Sequence, residues 1–132
     1  MPVKKITFTA GEIVRYTPED PNVGAFIVIG DKVLDKDHNP IPSVKTSVPL
    51  AKEEIEFLIS LAYEGANLLK GADSFRILKL IRQLETESLK ELTDITMAEE
   101  DLALISKVYG QLDRRNVAFI RDHIDFILQL EK

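Results

Sequence analysis

The sequence predicts an α+β protein: a small N-terminal antiparallel β-meander over residues 1–47, followed by a four-helix domain over 48–132 made of two repeated helical hairpins. Three observations carry that expectation. Before Pro49, short β-branched and aromatic stretches alternate with turn residues. After Pro49, proline disappears and helix formers dominate. The second half also matches itself: displaced by 46 positions, residues 53–85 lie over 99–131 without a gap, and 11 of 33 positions are identical. These are Glu53/Glu99, Glu54/Glu100, Leu58/Leu104, Ile59/Ile105, Ser60/Ser106, Tyr63/Tyr109, Ala72/Ala118, Ile81/Ile127, Gln83/Gln129, Leu84/Leu130 and Glu85/Glu131. Self-similarity at a fixed offset is the mark of a duplicated supersecondary unit.

In the first half, Lys5-Ile-Thr-Phe-Thr9 alternates with period two, as a half-buried strand does. Ala10-Gly11 breaks it, and Glu12-Ile-Val-Arg-Tyr16 starts a second strand. Pro18 and Pro21 bracket a turn-rich segment that cannot donate to a central ladder. Ala25-Phe-Ile-Val-Ile29 is continuously apolar, which predicts a central strand buried on both faces. Gly30-Asp31 signals a turn into Lys32-Val-Leu34, and Ile41 to Val48 returns as a further short strand despite Pro42. A sheet this small is expected to need the helices for support.

The first helix is expected from about Pro49 to Leu69, with an inward stripe of Ile55, Leu58, Ile59, Ala62, Ala66 and Leu69. Gly65 weakens its last turns. Gly71 suits a helix stop, and Asp73 or Ser74 suits the cap of a second helix running towards Leu92, with Ile77, Leu80, Ile81 and Leu84 inward. Thr96-Met-Ala-Glu99 reads as a capping box for a third helix facing inward through Leu102, Ile105, Tyr109 and Leu112. Asn116 would cap a fourth helix carrying Ile120, Ile124, Ile127 and Leu128. Short loops make neighbouring helices antiparallel, so two hairpins would pair their apolar stripes.

Charge and composition restrict partners. Net charge is −5; residues 1–50 balance six Lys/Arg against six Asp/Glu, and residues 51–132 hold eleven against sixteen. An acidic helical half is a poor binder of phosphate backbones. With no cysteine there is neither a disulfide framework nor a thiolate metal site. The longest apolar run falls far short of the roughly 20 residues of a membrane span, and MPVKKITFTAGE lacks the apolar stretch of a secretory signal. No membrane partner is expected, and a cytoplasmic location is the default, with a virion as the alternative.

Chemistry-bearing motifs are sparse. Asp35-Lys-Asp37-His-Asn39-Pro40 resembles the start of an EF-hand calcium loop, but Pro40 and Thr46 stand where that loop needs glycine and a bidentate acid. The same stretch, VLDKDHNPIPSVKTSV, resembles the D-x-x-x-N-P-x-P hairpins of bacterial immunoglobulin-like repeats, so it reads as a turn. His38 and His123 lack a metal-type partner spacing, and His123 reads as a flank of a core stripe. Glu53-Glu54 and Glu99-Glu100-Asp101 lie at helix starts, where they favour the dipole. No metal or other cofactor is expected. IVRYTPEDPNVGAFIVI is faintly similar to the opening strands of oligonucleotide-binding barrels, which would make Tyr16 and Phe26 stacking platforms; the alternative places Phe8, Tyr16 and Phe26 in the core of a small sheet.

Surplus apolar positions on the helices can cover the N-terminal sheet or build an interface with another chain. Phe57, Leu61 and Leu68 form a second stripe on the first helix, as do Phe119, Phe126 and Leu130 on the fourth. Where the two matched segments differ, the first is the more apolar, with Leu61 against Lys107 and Phe75 against Arg121. Phe57, Leu61, Leu68 and Phe75 are therefore the predicted interaction residues, for self-association or a larger assembly. The expected function is a non-enzymatic structural or protein–protein interaction protein. A sheet piece joined to capped short helices resembles small accessory proteins of bacteriophages, which implies the same role. The alternatives are a single-stranded nucleic-acid binder using the β module, and an enzyme or enzyme regulator with a site formed between subunits.

Overall fold

Strand β1 (Val3–Thr7) pairs antiparallel with β7 (Asp94–Ala98), placing Ile6 opposite Ile95. The computed structural model describes residues 2–111 and 117–131, and it is mixed α+β, with small antiparallel sheets and, among those residues, five helices. These are α1 (Leu50–Leu68), α2 (Ala72–Glu87), α3 (Glu99–Gly110), α4 (Val117–Asp122) and α5 (Ile124–Leu128). By its contacts the chain forms two units: residues 12–49, and residues 1–11 with 50–132.

The larger unit holds the main core. Ile55, Leu58, Leu61 and Ala62 of α1 pack with Ile77, Leu80, Ile81 and Leu84 of α2, and with Leu102, Ile105 and Val108 of α3. Ile6, Ile95 and Met97 close it from the β1–β7 ribbon, and Phe126, Ile127 and Leu130 from the C-terminal segment. The helix faces follow the 3.6-residue period, as the amphipathic stripes require. Gly65, expected to weaken α1, lies inside it: a Cβ there would stand 3.0 Å from Val108 Cγ2, so Val108 would have to give by a few tenths of an ångström.

Several expectations are corrected. β1 joins no N-terminal meander; it crosses to β7, whose Asp94-Ile-Thr-Met-Ala98 alternation buries Ile95 and Met97. Thr96 therefore belongs to a strand and is no cap. The N-cap of α3 is Ala98, without a side-chain bond, and the Glu99 amide donates to the Pro2 carbonyl at 3.2 Å. Likewise α2 starts from Gly71 at φ 64, and Ser74 turns back to donate to the Ala66 carbonyl at 3.3 Å. Leu112 and Asn116 lie outside the described residues.

The two matched segments also differ in structure. The continuous α2 corresponds to two short helices interrupted at His123, whose backbone (φ −125, ψ 33) leaves the helical region. The buried face of α3 is rotated by about one residue relative to α1. Tyr63 is 50% exposed while its counterpart Tyr109 is 5% exposed, and Leu58 is buried while Leu104 is only partly so. In the C-terminal segment His123, Phe126, Ile127 and Leu130 face inward; of the expected stripe Ile127 is buried and Ile120 half-buried, whereas Ile124 and Leu128 are exposed.

In the smaller unit, β2 (Glu12–Pro18) pairs antiparallel with β6 (Ser43–Pro49) from Glu12↔Pro49 to Pro18↔Ser43. Between them β3 (Phe26–Ile29), β4 (Lys32–Asp35) and β5 (Pro40–Ile41) form a three-stranded antiparallel sheet in that order. Pro42, which has no amide to donate, splits the single strand expected over 41–48. Gly30 (φ 64) opens the two-residue turn from β3 to β4; positive φ at the first central position alone is the type II′ pattern, matched to the twist of a hairpin. Asp35 Oδ1 accepts the amides of Asp37 and Asn39, each at 2.9 Å, so this acidic stretch is a hairpin turn.

Candidate functional site

Glu53 and Glu54 stand in the first turns of α1, and a helix start holds such acids for electrostatic reasons alone. Folding gives them a further partner. Glu54, fully buried, accepts the Thr9 amide through Oε1 at 2.7 Å, and its Oε2 lies 2.6 Å from His123 Nδ1. Glu53 Oε1 lies 2.9 Å from His123 Nε2. The break between α4 and α5 turns the imidazole towards α1, and Phe119 packs on the ring with centroids 4.3 Å apart.

Hydrogen-bond bookkeeping couples the protons of this cluster. An ionised carboxylate only accepts, so two of them require protons on both ring nitrogens; a neutral ring would require one acid to retain its proton. The His123 side chain is fully buried, and each nitrogen already has a carboxylate partner, so no substrate atom reaches it in this arrangement. What the geometry does is tether the C-terminal segment to α1. Gln129 adds a second tether: the Thr7 amide donates to its Oε1 at 2.9 Å, and its Nε2 donates to the Thr7 carbonyl at 2.8 Å. The side-chain amide thereby pairs with β1 as a neighbouring strand would.

A second charged cluster joins α2 to the start of α3. Arg76 donates through Nε to Asp101, and its Nη1 stands 2.7 Å from Glu100 Oε2. The hydrogen bond to Asp101 is the main cause that raises the guanidinium above its ordinary range. This is a forked, charge-assisted contact between elements. Phe75, Lys79 and Gln83 line an open cleft beside it.

The predicted interaction residues separate. Leu61 is in the core, and Phe57 is half-buried in an aromatic cluster, stacked on Phe119 at 4.5 Å and edge-on to Tyr109 and Phe126. Leu61, and the buried part of Phe57, are used within the larger unit. Leu68 and Phe75 flank the α1–α2 turn at 50% and 69% exposure. The proposed stacking aromatics Tyr16 and Phe26 lie in different sheets of the smaller unit, and Phe8, expected in the core of a small sheet, belongs to the core of the larger unit, stacked on Phe126 at 6.0 Å.

The most exposed apolar strand is the one whose composition predicts burial. Phe26, Ile27, Val28 and Ile29 are 40%, 44%, 44% and 61% exposed, although their continuous hydrophobicity predicts a central strand. The physical reason is topological: β3 is an edge, β4 occupies the centre, and only the two-residue β5 lies beyond it. Val33 is the sole buried apolar residue of the smaller unit.

Among the described residues no group of three or more His, Cys, Asp or Glu side chains is arranged to hold a metal ion, and no helix is long and apolar enough to cross a membrane. No family model matches the chain, and no curated protein or solved structure is significantly similar to it.

Proposed function

We propose that this chain is a non-enzymatic protein–protein interaction or structural protein that works as an oligomer or within a larger assembly. One observation supports this most. The smaller unit presents Phe26–Ile29, Val14 and Val44 to solvent and buries one apolar side chain, Val33. A β module with so little core, and no cysteine to staple it, gains most from being covered. Exposed apolar patches of this kind mark interaction surfaces. Its charges, four Lys/Arg against six Asp/Glu over residues 12–49, offer no cationic face for nucleic acid. Size exclusion with light scattering tests the reading. A mass above the 14.9 kDa of one chain, or a defined complex purified with the chain from its native host, is expected. A constant monomer mass at high concentration, with no partner in the native host, contradicts it.

A further inference from the structure

We infer that β3 is a self-pairing edge, joining antiparallel to β3 of a second copy of this chain about a two-fold axis at Ile27; this names a partner for the interaction role proposed above and rests on it. The first argument is the condition of the other edges. Strands that border solvent are normally guarded by charge, proline or shortness. In residues 12–49, β2 carries Glu12, Arg15 and Pro18, β6 carries Lys45 and Pro49, and β5 is two residues long beside Pro42. Only β3 has no guard, and all four of its side chains are exposed.

The second argument is register. In a hairpin with a two-residue loop the flanking pair, here Ile29↔Lys32, exchanges both backbone bonds, and alternate residues follow suit. Ile27 and Ile29 therefore bond to β4, while the amides and carbonyls of Phe26 and Val28 point away from it. An antiparallel copy must match outward residues with outward ones. Centring the axis on Ile27 pairs Phe26 with Val28 of the copy, Ile27 with itself and Ala25 with Ile29. The whole apolar run Ala25–Ile29 then meets itself, and Gly24 meets Gly30 beyond it. Centring on Val28 instead sets Phe26 against Gly30 and Ala25 against Asp31. The Ile27 axis brings no like charges together, so an identical chain is the complementary partner.

Three variants test the pairing and its register. Ile27→Cys places one thiol in a chain without cysteine, at a non-hydrogen-bonded pair where Cα atoms sit about 4.5 Å apart, within disulfide reach. Mild oxidation is expected to give a disulfide dimer, while the control Leu89→Cys, 88% exposed in the other unit, stays monomeric. Ile27→Lys and Ile27→Glu each set like charges face to face and are expected to weaken dimerisation about tenfold or more. An equimolar mixture of the two is expected to restore it. Circular dichroism confirms that these exposed-edge variants remain folded. A wild-type oligomer that both charge variants leave intact overturns the β3 pairing and leaves the interaction role standing. A wild type that does not dimerise, with an Ile27→Cys variant that does not cross-link, also overturns it, and the interaction role then depends on a different protein.

Discussion

At the residue scale the buried Glu53–His123–Glu54 cluster makes the sharpest energetic claim. A buried ion pair contributes little net stability as a unit, but removing one partner strands the other. His123→Ala leaves Glu54 in the core with, among the described residues, the Thr9 amide as its remaining partner, and is expected to cost about 3–5 kcal/mol. Replacing both groups, as Glu54→Gln with His123→Leu, is expected to recover a large part of that loss. Urea unfolding of Glu54→Gln and His123→Leu singly and of the double checks this; additive losses would mean that the two side chains do not interact. None of this was legible in the sequence, because the acids and the imidazole are separated by 69 and 70 positions. Each alone reads as an ordinary helix-start acid or core flank. The acidic pair followed by an inward histidine was visible, but nothing local brings them together.

At the scale of elements, local periodicity was legible and pairing was not. The alternation in Lys5–Thr9 identifies a strand, yet its partner lies about 90 positions away, behind a segment whose Thr96 and Glu99 also satisfy a capping pattern. The internal match predicted helices correctly over α1, α2 and α3 but not their inward faces, since the identical tyrosines end in opposite environments. β3 shows the same limit: a continuous apolar run is common to a central strand and an uncovered edge, and only topology separates them. Helix propensity alone makes Gly65 a weak point, whereas in the fold it packs closely against Val108 and Ile77. Gly65→Ala gains about 1 kcal/mol of helix propensity, but crowding Val108 at 3.0 Å costs about 1–3 kcal/mol. A net loss of stability is expected by thermal unfolding; a raised Tm would show that Val108 yields freely.

At the scale of the whole molecule, the smaller unit is inserted into the larger at one point. The Leu50 amide donates to the Gly11 carbonyl at 3.0 Å, so the chain leaves and returns at hydrogen-bonded neighbours. Every buried apolar residue except Val33 lies outside 12–49. Replacing residues 12–49 by a two-residue turn is therefore expected to preserve the helical circular dichroism signal and cooperative unfolding of the remainder. A molten or unfolded product would show that the larger unit depends on the insertion. The same excision is expected to abolish self-association, because the proposed pairing edge goes with it.

The most direct measurement is hydrogen exchange at the backbone amides of Phe26 and Val28, followed while the concentration of the intact chain is raised. Pairing at β3 predicts that both amides become protected together as dimer forms, while the amides of Ile27 and Ile29, already bonded to β4, change less. If Phe26 and Val28 exchange at one rate from micromolar to millimolar chain, β3 remains an open edge and the self-pairing account is contradicted.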